Sequence, residues 1–196
     1  MHMPMPIVKT AAAADEAAAI DALVLAFAAD PVVRWTWGDP SVYLAHFPGF
    51  ARAFGGRAFA HGGADYVDGY AGTALWLPPD VHPDEEALNG IFARSVPEAI
   101  RKDAAAVMEQ MGRYHPREPH WYLPLIGVDP CYQGKGFGAA LMRHALSRCD
   151  REGRLAYLES TNPRNITLYE RHGFERLGTV QVGSAPPLVP MLRRPR

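Results

Sequence analysis

Cysteine is scarce in this chain. The 196 residues hold two, Cys131 and Cys149, and they form no CxxC pair. Neither a disulfide framework nor a zinc knuckle is indicated. An excess of one charge is also missing: 20 Lys and Arg stand against 21 Asp and Glu, a net charge of −1. That balance argues against a nucleic-acid-binding face and against a membrane-surface protein. The terminal Arg193, Arg194 and Arg196 are too few to reverse it. The longest apolar run, Ala22 to Ala29, falls far short of the ~18 residues of a membrane span. The opening Met1-His2-Met3-Pro4-Met5-Pro6 lacks a basic stretch leading into an apolar core. No signal peptide is therefore expected, and a cytoplasmic location is. No HExxH and no G-x-S-x-G occurs, so neither a metal enzyme nor a serine hydrolase is supported.

What is present reads as one α+β domain over 1–196. Thr10 is placed to cap a first helix, along which Ile20, Leu23, Val24 and Phe27 make an apolar stripe that Asp30-Pro31 ends. Trp35, Trp37, Tyr43, Phe47 and Phe50 follow, with Phe54 extending a short helix. Two strands are expected around Asp68-Gly69, and helices over 80–116. Trp121 to Val128 reads as a strand, yet Pro124 inside it requires an edge, a bulge or a splayed partner. A helix from Gly134 to Cys149, a strand from Leu155 to Glu159, a helix opened by Asn162-Pro163 and two last strands complete the order. The final strand, from Leu188, offers a pairing edge for a homodimer.

The most informative segment is Gln133-Gly134-Lys135-Gly136-Phe137-Gly138-Ala139, which follows a strand and opens a helix. Glycines let a ligand approach the backbone, and free N–H groups at a helix start bind phosphate oxygens. Lys135 adds a positive charge. The Walker A spacing is not met. A dinucleotide fingerprint is met by Gly134, Gly136 and Ala139, with Glu159 where a ribose hydroxyl would be held. Against it, five residues separate strand and first glycine, and only 62 residues follow Gly134.

Val128-Asp129-Pro130 followed by Gln133-x-x-Gly136-x-Gly138 resembles the acyl-CoA pyrophosphate signature of the GNAT superfamily of N-acetyltransferases. Asn162 to Phe174, with Tyr169 seven residues after the asparagine and Gly173-Phe174 beyond, is similar to that superfamily's second signature. The resemblance implies a mixed, mostly antiparallel central sheet flanked by helices, with a splayed strand pair at the CoA site. It implies a CoA-binding core at about 118–182 and acceptor-side elements at about 10–116. Acetyl-CoA is then the co-substrate and no metal is needed. Ile126, Gly127 and Val128 would pair with the pantetheine arm, Gln133 to Ala139 would surround the pyrophosphate, and Asn162 would bond the arm from the far side, with Asn165 a further ligand candidate.

The implied reaction moves an acetyl or other short acyl group to a primary amine of a small molecule or peptide, by direct attack. Such amines have pKa near ~10, so a base is needed, and the departing sulfur needs a proton. Tyr169 matches the family's tyrosine acid. Glu159 is the first candidate base. Tyr122 and His120, two apart on one strand face, are further candidates. Cys131 lacks a nearby histidine in sequence and reads as a bystander, while Cys149 reads as core. A dinucleotide-dependent oxidoreductase and a non-catalytic CoA-binding module remain the alternatives.

Overall fold

Thr10 does not cap a helix. In the computed structural model, which describes residues 6–196, it ends a strand, β1 (Val8–Thr10). Its hydroxyl donates to Asp65 at 3.1 Å, and Ala13–Asp15 form only a 3-10 turn before α1 (Glu16–Phe27). Met1–Met5, part of the stretch read above for a leader, lie outside the described residues. Asp30 starts α2 (Pro31–Thr36) by accepting from the N–H groups of Val32 and Val33, with proline at the first helical position. Asp39-Pro40 repeats the device for α3 (Pro40–Gly55), a longer helix than the aromatic spacing suggested.

β2 (Ala64–Val67) and β3 (Gly72–Leu77) form the expected hairpin. α4 (Glu85–Ser95) and α5 (Glu98–Tyr114) follow, the latter running through Gly112. Next come β4 (His120–Val128), α6 (Phe137–Glu152), β5 (Leu155–Ser160) and α7 (Ile166–Arg171). The strand expected over 174–182 shrinks to β6 (Glu175–Arg176) and one bridge at Val180, before β7 (Val189–Arg193). The seven strands form one sheet in the order β1-β2-β3-β4-β5-β7-β6. Among the described residues only β4 and β5 run parallel, joined by the α6 crossover that such a pair requires. This is the mixed, mostly antiparallel α+β fold expected. β7 is paired on both sides, so the free edge expected at the final strand is not there. Among the described residues no helix is long and apolar enough to cross a membrane.

Strand alternation divides the core. Leu75, Leu77, Tyr122 and Tyr157 face α1 and α3 to α5, whereas Trp76, Trp121, Leu123 and Leu158 face α6 and α7. Pro124 breaks this pattern. Against β3 the register slips between Leu75↔Leu125 and Leu77↔Tyr122, a bulge on the β4 side. Against β5 the pairing stops at Leu123↔Leu158, one residue before the proline, and β5 continues its own bonds to β7 instead. Pro124 thus sits in a central strand, at both a bulge and a splay. Arg148 on α6 turns back over the Trp121 ring at 4.5 Å and pairs with buried Asp65 at 3.2 Å.

One ion pair ties the last strand to the α6 crossover. The guanidinium of Arg193, buried on β7, donates twice to Asp150 on α6, at 2.7 and 2.8 Å. This bidentate contact holds the Asp150 carboxyl below the usual carboxylate range. Asp150→Asn should lower stability by about 2 kcal/mol. The wild-type contribution is complete above the unfolded-chain pKa, near 3.8, and is lost as pH falls through the lower folded value. Urea titrations at neutral and strongly acidic pH check this: the gap between wild type and variant should close in acid.

Candidate active site

The glycine-rich turn has the backbone that an anion cradle needs. Gly134 and Gly136 have φ of +75° and +83°, a region that glycine enters without steric cost. The first bond of α6 runs from Ala140 N–H to the Gly136 carbonyl at 3.0 Å. The N–H groups of Phe137, Gly138 and Ala139 therefore precede the helical ladder, at the positive end of the helix dipole. Asp129 stiffens the approach by accepting from Cys131 N–H at 2.8 Å.

A cleft of about 590 Å³ runs from this turn along β4 to α7. Ile126, Gly127, Val128, Gln133, Gly134, Gly136, Phe137, Gly138, Ala139, Asn162, Asn165 and Tyr169 line it. The sequence singled out all of these. At Gly127 a Cβ would lie 2.5 Å from that of Ala26, so α1 rests directly on the strand backbone that floors the cleft. The Gln133 amide turns back to the Val128 carbonyl at 3.3 Å. Asn162 accepts from Arg164 N–H at 3.1 Å, capping the 3-10 turn before α7.

Lys135 departs from expectation. Its ammonium donates to the Cys131 carbonyl at 3.2 Å and lies over the Tyr132 ring, and it does not line the cleft. Positive charge comes instead from Arg164 and Arg171 on the α7 side, which sequence reasoning missed. Their spacing of two helical turns was the available signal. Asp30 was also missed. It lines the cleft, and Thr161 donates to its carboxylate at 2.6 Å, joining the α1–α2 junction to the segment after β5.

Where β4 and β5 part, the cleft meets a second cavity, of about 120 Å³. Tyr169 and Asn165 line both. Tyr169 is buried and packs edge-on to Phe174. Burial, and then the nearby Asp30 carboxylate, push its phenol well above the ordinary value, so it stays protonated. Trp35, Trp37 and Phe50 line the second cavity. Tyr43 and Phe47 are core: the Tyr43 hydroxyl donates to the Val24 carbonyl at 2.6 Å, and Phe47 is fully buried between aromatic rings.

Glu159 lines the second cavity and not the cleft. Only 3% of its side chain is exposed, and its Oε1 lies 3.2 Å from Nε2 of His115. The phenols of Tyr122 and Tyr157 are raised by burial and then by the Glu159 charge. His115 also packs against the His120, Tyr122 and Tyr157 rings. Burial lowers the His120 pKa. The structure therefore gathers Glu159, Tyr122 and His120, and adds His115, which no local spacing linked to Glu159. Among the described residues no cluster suits a metal ion. Cys131 is exposed, and Cys149 is buried with its thiol pushed up to about 12.

Comparison with known proteins agrees with this geometry. Residues 100–176 match the acetyltransferase (GNAT) domain. An uncharacterized N-acetyltransferase, C550.08, of Schizosaccharomyces pombe is 28% identical over 151 residues, 66% of this chain and 58% of that protein. The N-alpha-acetyltransferase RimI of Mycobacterium tuberculosis is 39% identical over 75 residues, 37% of this chain and 45% of that protein. The chain thus spans about half the length of these curated relatives. A solved structure titled histone acetyltransferase HPA2 and related acetyltransferase, from Corynebacterium glutamicum, is 29% identical. It superposes with a TM-score of 0.71, with 97% of each chain covered. The doubly wound parallel sheet of a dinucleotide enzyme is not this topology, which has one parallel pair. Sheet order, glycine turn and family match agree: residues 100–176 are similar to the acetyltransferase (GNAT) domain, and the chain shares the fold of the Corynebacterium glutamicum structure.

Proposed function

We propose that this chain transfers an acetyl group from acetyl-CoA to a primary amine by direct attack within a ternary complex. The observation that carries the reading is the loss of β4–β5 pairing beyond Leu123 and Leu158. It leaves the backbone of residues 124–128 without a partner on β5, beside a cleft that ends at Tyr169. The donor supplies a thioester, a carbonyl activated toward nitrogen nucleophiles. Strand residues Ile126 to Val128 offer amide and carbonyl groups to its arm. The N–H groups of Phe137 to Ala139, with Arg164 and Arg171, meet its phosphates. Asn162 and Asn165 hold the arm from the α7 side.

Glu159 takes the proton of the bound ammonium, with His115 beside it to share the charge. The amine nitrogen then bonds to the acetyl carbon, the carbon–sulfur bond breaks, Tyr169 gives its proton to the sulfur, and the surplus proton on the new amide nitrogen returns to the Tyr169 phenolate. A phenol held protonated by burial suits that last step. Two tests apply. Thiol release from acetyl-CoA over a panel of amines should be amine-dependent; binding of acetyl-CoA without amine-dependent release would leave only a binding module. Glu159→Gln should lower kcat/KM by about 10²-fold. The loss should shrink at high pH, where free amine is supplied by solvent. A pH-independent loss would remove Glu159 from the base role.

A further inference from the structure

The cavity behind the splay is chemically two-sided. From the β5–α7 segment it takes Glu159, Thr161, Asn165 and Tyr169, and from α2 to α5 it takes Trp37, Phe50, Phe54, Phe92 and Met108. Glu159 is the one charged residue among those lining it. Its Oε1 lies 3.2 Å from His115 Nε2 and makes no hydrogen bond of good geometry among the described residues. Its volume, about 120 Å³, is close to the roughly 150 Å³ of an apolar cavity that accepts benzene.

We infer that the acceptor is a monoamine carrying one compact apolar group, a single aromatic ring or a short branched alkyl chain. This rests on the reading of the chain as an amine acetyltransferase and names its substrate class. The ammonium sits at Glu159, beside Tyr169, where one carboxylate matches one cation. The tail lies among Phe50, Phe92 and Met108, where its burial is favourable and no polar atom loses water unpaired. A second cation at that end would be stripped of water with no carboxylate to meet it. A peptide would bring amide groups into a wall that offers them no partner.

The test is thiol release from acetyl-CoA with 2-phenylethylamine, 3-methylbutylamine, spermidine, agmatine and an alanine-initiated tetrapeptide, run beside calorimetry of acetyl-CoA binding. The expected result is a kcat/KM for the first two amines about 100-fold or more above the other three. Met108→Glu, which sets a second carboxylate at the tail end, should raise agmatine relative to 2-phenylethylamine by about tenfold, whereas Met108→Gln should leave the ranking intact. Equal or better turnover of spermidine, agmatine or the peptide overturns the inference and leaves the acetyltransferase reading standing. Acetyl-CoA binding with no release to any of the five amines also overturns it. Failure to bind acetyl-CoA at all overturns the underlying reading as well, which separates the two failures.

Discussion

Tyr169→Phe should lower kcat by about 10²–10⁴-fold, the range for loss of a positioned acid, with acetyl-CoA affinity little changed. The substitution removes one oxygen. The ring remains packed against Phe174 and the α7 face, so the fold and the cleft persist. Under the proposed mechanism, what disappears is the proton for the departing sulfur. The direction of the Tyr169 shift matters here. Because burial raises its pKa, the acid form survives to higher pH than an ordinary tyrosine would allow. The alkaline fall in kcat should therefore not begin at the usual tyrosine value. Steady-state kinetics of wild type and variant, with calorimetry of acetyl-CoA on both, checks this. A variant that retains kcat within a small factor would take the proton-donor role away from Tyr169.

Gly136→Glu should weaken acetyl-CoA binding by about three orders of magnitude. At Gly136 a side chain meets no atom within 4 Å, so a new carboxylate would project into open space at the cradle. A like charge about 4 Å from a phosphate costs about 4 kcal/mol at an effective dielectric constant near 20, roughly a thousandfold in affinity. Part of any effect comes from backbone strain, since φ is +83° there and a residue with a Cβ loses about 1–2 kcal/mol. Gly136→Gln carries that strain and nearly the same bulk without the charge and isolates it. Calorimetry and thermal denaturation of both variants separate binding from folding. Equal acetyl-CoA affinity in the Glu and Gln variants would disconnect the turn from phosphate recognition.

Much of the site was legible because its determinants are local. The glycine turn, the helix behind it, the asparagine cap and Tyr169 all declare themselves within a few residues of chain. Pro124 announced the disturbed strand for the same reason: a missing N–H is a property of one residue. What escaped is what depends on distant partners. Thr10 has the chemistry of a helix cap, but Asp65, 55 residues on, offers its hydroxyl a partner in the sheet. The bond between Asp30 and Thr161 spans 131 residues. His115 meets Glu159 only because α5 ends beside the split. Lys135 was read as a charge for the phosphates, yet its flexible stem lets the ammonium reach a closer carbonyl and ring.

The interruption at Pro124 also sets a limit on engineering for heat resistance. A conventional repair would exchange the proline for a strand-forming residue and restore the ladder from β4 to β5. Under the proposed function, such a repair would caulk the seam at which donor and acceptor meet. Robustness and turnover compete at this position, and a hardier version of the enzyme is better sought elsewhere, on the exposed sides of its helices.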